Sequence, residues 1–277
     1  MGYFRFRGRK VEYKELGATG VKLPEIGFGT WNYRGGVAPL RKAIELGAAF
    51  IDTAELYGTE DAVGEAVKGR RDKVFIATKV SAGHLRYDQV LRAAEGSLKK
   101  LATDYIDLYQ IHWPDPSVPI AETMGAMEQL VDAGKVRFIG VSNFYLKNLR
   151  EAQAAMKKHK IVSNQVKYSL ACRGIEGDML SYCQNNRITV IAYSPLDKGA
   201  LLSKSLFKKR AARAVLERVA DETGKTTAQV ALNWCISKPN VIAIPKTDKV
   251  ERVVEACQVS GWRLSREQAA ALDRAFQ

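Results

Sequence analysis

Short apolar runs recur along this chain, and a longer amphipathic stretch follows each of them. The runs are rich in Val, Ile and Phe and have the length of buried strands. Eight runs cover residues 25–30, 49–52, 74–79, 105–112, 136–142, 161–166, 189–193 and 241–245. Strands that alternate with helices pair in parallel through crossovers, and eight such units in 277 residues are typical of an α/β fold, the (β/α)8 or TIM barrel.

Helical spacing of apolar residues occurs between and after these runs. It covers residues 92–102, 123–134, 146–160, 213–224, 227–237 and 265–276. Gly134 fits a helix C-cap and Ser265 a helix N-cap, while the basic residues at 157–160 suit the last turn of a helix. We expect 213–224 to be an extra helix inserted after the seventh strand.

The segment before the first run has a different pattern. Residues 11–24 form two short runs around Thr19 and Gly20, which predicts a β-hairpin that covers the bottom of the barrel. The chain has no low-complexity linker and no shift in composition. Residues 1–277 are therefore expected to form a single domain.

The formal net charge of +13 allows contact with polyanions, nucleic acid or membranes. The basic residues are divided among short patches, at 68–73, 157–160 and 208–213. A solvated basic surface explains this distribution, and no zinc-finger, RNP or helix-turn-helix signature favours nucleic acid. No apolar run is long enough to cross a bilayer, so we expect neither a nucleic-acid nor a membrane partner.

The cysteines and histidines indicate the compartment and argue against a metal site. The four cysteines form no CxxC pair, which suggests reduced thiols in the cytoplasm. The three histidines form neither an HExxH motif nor a close pair, so no metal is predicted. Residues 1–14 lack the apolar core of a secretory signal.

Polar side chains end three consecutive runs. Asp52 ends the second, Lys79 the third and His112 the fourth, and Tyr57 lies in the loop after the second. Each of them alone has an ordinary structural explanation. Asp52 could cap a turn and Lys79 could extend its amine to solvent, while His112 could be a buried, hydrogen-bonded imidazole and Tyr57 a surface phenol. Since the carboxyl ends of barrel strands form the active face, we expect all four to meet at one rim.

These four groups suit the reduction of a carbonyl group. As hydride reaches the carbon, negative charge grows on the oxygen, and Tyr57 could supply its proton. A free tyrosine has a pKa near ~10, and a cation ~4 Å away at an effective dielectric of ~20 supplies about 4 kcal/mol, enough to lower that pKa by ~3 units. We expect Lys79 to be that cation, Asp52 to keep it charged, and His112 to orient the carbonyl.

One candidate nucleotide-binding segment is GFGTWN, at residues 27–32. It follows a strand and precedes Asp52 by about 20 residues, as in a Rossmann fingerprint. Asn32 replaces the third glycine, however, and a Rossmann fold leaves the other strand ends unexplained. We therefore disfavour this alternative.

A second candidate is IPKTDKVER, at residues 244–252. Its Lys246, Thr247 and Arg252 come at the end of the last strand and the start of the next helix. Phosphate groups bind at that place in a barrel. The segment predicts a clamp for a phosphate monoester, such as the 2′-phosphate of a nicotinamide cofactor.

Several of these motifs together resemble the aldo-keto reductase family over nearly the whole chain. They are LPEIGFGTW (23–31), FIDTAELYGTEDAVG (50–64), ATKV (77–80), DYIDLYQIHWP (104–114), IGVSNF (139–144), AYSPL (192–196) and IPKTDKVER. The resemblance implies NADPH-dependent reduction of aldehydes and ketones, with NADH as an alternative cofactor. It also implies that Asp52, Tyr57, Lys79 and His112 are the catalytic residues.

The resemblance assigns further roles by position. The implied cofactor contacts are Gly29, Thr30, Trp31, Asp52, Ser142, Asn143, Gln165, Tyr193, Ser194, Leu196, Lys246, Thr247, Arg252 and Glu255. Of these, Ser142, Asn143 and Gln165 would hold the nicotinamide carboxamide, and Tyr193 would stack on its ring. The implied substrate contacts are Trp31, Tyr57, His112 and Trp113.

The chain departs from the family at Ala256, where many members have Asn near the adenine. The loop at 114–119 is short, which predicts an open pocket with broad selectivity for small carbonyl compounds. Some relatives act as channel-associated subunits, so an interaction protein is an alternative, and the charge leaves a nucleic-acid binder as another. The sequence gives no oligomeric state and no physiological substrate.

Overall fold

The computed structural model describes residues 11–202 and 210–277. Most of the N-terminal segment judged above not to be a secretory signal lies outside those residues, as does the start of the basic patch at 208–213. No helix of the described part is long and apolar enough to span a bilayer.

A β-hairpin precedes the barrel, as predicted. Strands β1 (Tyr13–Glu15) and β2 (Lys22–Pro24) pair antiparallel. Leu16 and Leu23, both buried, pack in one cluster with side chains of the barrel interior such as Phe50, Leu108 and Ile191. The hairpin therefore closes the end of the barrel at which the strands begin.

Eight parallel strands form the barrel that the sequence predicted. In chain order they are β3 (Phe28–Gly29), β4 (Phe50–Asp52), β5 (Phe75–Val80), β6 (Ile106–Ile111), β7 (Val136–Ser142), β8 (Ile161–Lys167), β9 (Thr189–Tyr193) and β10 (Val241–Ile244). Each strand pairs with the next one along the chain. A parallel bridge between Ile26 and Ala243 brings the first strand beside the last, so the barrel is nearly closed. This order excludes the Rossmann alternative.

Helices connect the strands and pack around the barrel. Within the described residues they are α1 (Ala38–Glu45), α2 (Glu60–Val67), α3 (Tyr87–Leu101), α4 (Ile120–Asp132), α5 (Leu146–Ala155), α6 (Met179–Asn185), α7 (Arg210–Thr223), α8 (Thr227–Ser237), α9 (Val250–Cys257) and α10 (Arg266–Ala275). Helices α7 and α8 both lie between β9 and β10, so the extra helix after the seventh barrel strand is present. The Ser265 side chain caps α10, and Gly134, at φ +71°, follows the end of α4.

The prediction that residues 157–160 form a basic last turn of the helix that begins at 146 is wrong. Helix α5 ends at Ala155, and Met156 is extended at ψ 136°. The backbone N–H groups of residues 157, 158 and 159 instead donate to one oxygen of the buried Glu128 side chain, over 2.6–3.0 Å. These backbone N–H groups therefore donate to the Glu128 carboxylate and not to carbonyl oxygens of a longer helix.

Candidate active site

A cavity of about 810 Å³ opens at the carboxyl ends of the barrel strands. Side chains from the ends of β4, β6, β7, β8, β9 and β10 and from the loops after them line it. Its volume is within the usual range for small-molecule sites. The cavity is continuous from Tyr57 to Arg252, so it joins the predicted catalytic residues to the predicted phosphate clamp.

Asp52 and Lys79 form a buried ion pair, in which Asp52 lines the cavity and Lys79 lies behind it. Lys79 Nζ lies 2.6 Å from Asp52 Oδ1, and the two side chains are 0% and 2% exposed. Nζ also donates to the carbonyl oxygen of Thr53, at 2.9 Å. The other Asp52 oxygen accepts hydrogen bonds from Gln165 Nε2 at 2.7 Å and Gln110 Nε2 at 3.3 Å. Every charged atom of the pair thus has a polar partner, which limits the cost of its burial.

The Tyr57 hydroxyl lies between the amine and the imidazole. Its oxygen is 3.4 Å from Lys79 Nζ and 3.4 Å from His112 Nε2. Tyr57 ends the short 3₁₀ helix Glu55–Tyr57, and Gly58 then takes φ +64°. The Glu55 carboxylate accepts a hydrogen bond from the backbone N–H of Ser81, which ties this short helix to the neighbouring loop.

The pKa of Tyr57 is raised, and not lowered as the sequence analysis expected. Burial raises the pKa of Tyr57, and the charge of Lys79 only partly opposes that rise. Asp52 contributes in the same direction as burial. In this structure the phenol is therefore protonated throughout the neutral range, which leaves it a proton donor and not a phenolate.

His112 is a neutral imidazole at this position. Burial, with a contribution from the charge of Lys79, lowers its pKa to about 4. Its ring packs edge-on against Tyr57 with centroids 5.3 Å apart. Its Nδ1 has no hydrogen-bond partner among the described residues.

Four predicted cofactor residues form a hydrogen-bonded group beside the ion pair. Tyr193 donates its hydroxyl to Asn143 Oδ1 at 2.9 Å, and Asn143 Nδ2 donates to the His112 carbonyl oxygen at 3.0 Å. Ser142 Oγ donates to the Gln165 carbonyl oxygen at 2.9 Å. Asn143 takes φ +61°, which turns the chain out of β7 and directs its amide into this group.

The three residues of the predicted phosphate clamp line the cavity, and carboxylates pair with the two cations. Lys246 Nζ lies 2.5 Å from Asp248 Oδ2, and Arg252 Nη1 lies 3.2 Å from Glu255 Oε2. Thr247 Oγ1 accepts a hydrogen bond from the Lys249 backbone N–H. A bound phosphate would compete with two carboxylates for these cations.

Two half-exposed tryptophans line the cavity. Trp31 and Trp113 are 47% and 50% exposed. Lys198, from the loop after β9, lies 4.8 Å from the centroid of the Trp31 ring. Both indoles line the cavity, and the open pocket inferred from the short loop at 114–119 stays a prediction.

The cavity brings most of the predicted site residues together. Lys79 and Thr30 are the exceptions, because both are fully buried and do not line it. Thr30 Oγ1 donates instead to the Asp52 carbonyl oxygen at 3.1 Å, so it supports the site from behind.

The residues that the sequence analysis missed at this site include Gln110, Asp248 and Lys198. Gln110 could have been found, since it lies two positions before His112 and so faces the same side of its strand. Asp248 lies inside the quoted phosphate motif, but its pairing with Lys246 depends on the loop conformation. Lys198 carries no local signal. Among the described residues, no group of three or more His, Cys, Asp and Glu could hold a metal ion.

Comparisons with known proteins agree on one family. The model of the aldo/keto reductase family matches residues 25–276. Methylglyoxal reductase YeaE of Escherichia coli (strain K12) is 41% identical over 267 residues, which cover 92% of each protein.

Solved structures give the same result. The thermostable aldo-keto reductase Tm1743, in complex with the inhibitor epalrestat, is 42% identical with a TM-score of 0.89, over 96% of this chain and 100% of that one. An aldo/keto reductase from Klebsiella pneumoniae, in complex with NADP and acetate, is 39% identical with a TM-score of 0.84, over 92% of both chains.

We predict that His112 stays neutral as the pH falls from 8 to about 5, because its pKa is lowered to about 4. Its folded-state pKa is below the ordinary value near ~6.5, so its charge appears only as the pH approaches 4. Histidine-selective NMR can follow the three imidazoles, and His112→Gln identifies the signal that belongs to this ring. A titration midpoint near ~6.5 for that signal would contradict the prediction.

Proposed function

The chain belongs to the aldo/keto reductase family, and we propose that it reduces small aldehydes and ketones to alcohols with NADPH. One observation carries the proposal: a single cavity joins the Asp52, Lys79, Tyr57 and His112 cluster to the Lys246 and Arg252 clamp. Carbonyl chemistry at one end and phosphate recognition at the other are what such a reaction requires.

The chain's residues fit a nicotinamide cofactor. Gln165 presents an amide oxygen with no partner among the described residues, next to Asn143 and Ser142, and these groups can hold a carboxamide. Tyr193 lies in the same wall, where its ring can support a nicotinamide face. The two cations at the far end can take a 2′-phosphate, which NADPH carries and NADH lacks. This arrangement supports NADPH as the preferred cofactor, with NADH as the weaker one.

Tyr57 acts as the proton donor in the proposed reaction. The hydride that reaches the carbonyl carbon would come from NADPH when it is bound in this cavity. As charge grows on the oxygen, the Tyr57 hydroxyl donates its proton, and the nearby Lys79 ammonium stabilises the phenolate that remains. The raised pKa of Tyr57 suits this step. It keeps the phenol protonated until negative charge develops on the carbonyl oxygen of the substrate. Neutral His112 hydrogen-bonds the carbonyl oxygen and fixes its direction.

The entrance of the cavity suits small substrates best. Trp31 and Trp113 leave the mouth open, and Leu56 beside Tyr57 is 72% exposed. Few contacts are available to grip a large substrate, so selectivity is expected to be broad. The relative YeaE is named a methylglyoxal reductase, which makes methylglyoxal a suitable first test compound. The scattered free cysteines support a cytoplasmic location, which stays a prediction.

We predict that Tyr57→Phe lowers kcat for methylglyoxal by about 10²- to 10⁴-fold, because the proton donor is lost. NADPH affinity should stay close to that of the wild type, since the hydroxyl belongs to the carbonyl end of the cavity. Steady-state NADPH consumption measures the first effect and calorimetric titration the second. The matched control is Tyr145→Phe, which changes a side chain that is 79% exposed. Near wild-type turnover of Tyr57→Phe would remove Tyr57 from the mechanism.

We also predict that Lys246→Ala or Arg252→Ala raises the Kd for NADPH about 10-fold or more, through loss of a charge-assisted hydrogen bond to phosphate. The Kd for NADH should change by less than about twofold. Lys73→Ala, at the strand-start end of the barrel, serves as the charge-matched control. Equal weakening of both cofactors would show that these residues do not read the 2′-phosphate.

A further inference from the structure

A second cavity, of about 560 Å³, lies at the end of the barrel where the strands begin. Phe138 and Ile161, near the starts of β7 and β8, line it, whereas Ser142 and Gln165, near the ends of the same strands, line the first cavity. Ile161 and Gln165 are four residues apart, or ~13 Å along an extended strand. No residue lines both cavities.

The floor of the second cavity is apolar and its rim is basic. Val131, Phe138, Ile139, Ile161, Val162 and Ile188 supply the apolar surface. Arg137, Lys160, Arg187 and His159 supply the rim, and no aspartate or glutamate is among the lining residues. A volume of this size holds an organic molecule and exceeds what one inorganic ion needs.

The rim cations keep hydrogen-bond donors for a ligand. Within the described residues, Lys160 Nζ has no hydrogen bond or ion pair, and the side chain is exposed. Arg187 pairs with Glu15 through Nη2 alone, at 3.1 and 3.2 Å, so its Nε and Nη1 are unused. Arg137 bonds Asp107 through Nη1 alone, at 2.6 Å.

Neighbouring carboxylates only partly neutralise this rim. His159 pairs with Asp132, at 3.0 Å, and Asp132 also pairs with Lys158, at 2.5 Å. Asp107 is shared between Arg137 and Arg71, so one carboxylate serves two guanidinium groups. This local excess of positive charge has the same sign as the net charge of +13 of the whole chain.

We propose that the second cavity is a binding site for a small organic anion, with an aromatic or aliphatic body on the apolar floor and a carboxylate, sulfonate or phosphate at the Lys160 and Arg187 rim. Charge complementarity at the rim and apolar burial at the floor would act together. The two cavities share no lining residue, so this ligand and the carbonyl substrate do not compete for the same side chains.

The probe that tests this is 1-anilinonaphthalene-8-sulfonate, an aromatic anion whose fluorescence rises when water is excluded. We expect the full chain, saturated with NADP⁺, to bind one molecule of the probe. Lys160→Glu should weaken that binding about tenfold, because it reverses a charge at the anion. Lys157→Glu makes the same charge change in the same loop outside the cavity and should alter binding by less than about twofold.

Two further outcomes test the proposal. Inorganic sulfate at the same concentration should not displace the probe, because it has no apolar body for the floor. Both variants should keep the wild-type rate of methylglyoxal reduction. Failure of the NADP⁺-saturated chain to bind the probe, or equal probe affinity in the two variants, would overturn the second site. The comparison of the two variants does not depend on the reductase proposal being right.

Discussion

The buried ion pair of Asp52 and Lys79 is the interaction on which the rest of the site depends. Removing two such charges from water costs several kcal/mol for each ion. Their attraction at 2.6 Å and the hydrogen bonds from Gln165 and Gln110 offset that cost. Apolar side chains of the same volume would fill this space at lower cost. We infer that the pair serves chemistry, by holding an ammonium beside the Tyr57 hydroxyl.

The barrel supplies this pair with its partners. Gln110 and Gly140 face each other across β6 and β7, and the absence of a side chain at Gly140 leaves room there. A Cβ at Gly140 would lie 2.5 Å from Ser163 Oγ and 3.0 Å from Gln110 Cγ. A glycine in the middle of a barrel strand thus allows the amide that reaches Asp52. The strand order then determines which polar groups share the rim.

The sequence predicted the barrel and the hairpin, because each barrel strand is a short apolar run. It also predicted that Asp52, Tyr57, Lys79 and His112 lie close together, because three consecutive runs end on a polar residue; their catalytic roles stay a prediction. It failed where a result depends on contacts between distant segments. Glu128 ends helix α5 by collecting backbone amides from the following loop, and no local pattern shows this. The pKa of Tyr57 rises because the fold buries it, whereas the sequence suggested only the opposing charge of Lys79. Asp248 likewise lies within the phosphate motif of the sequence, but the sequence does not show that it pairs with Lys246.

The most direct test of the ion pair's role is a comparison of Asp52→Leu, Lys79→Met and the double variant by urea unfolding and by NADPH-dependent turnover. Each single change leaves one buried charge unpaired and should lower the free energy of unfolding by about 3–5 kcal/mol. The double variant should recover most of that stability, within about 1 kcal/mol of the wild type, and yet remain inactive. A double variant that is less stable than either single one, or that still reduces methylglyoxal, would contradict the account.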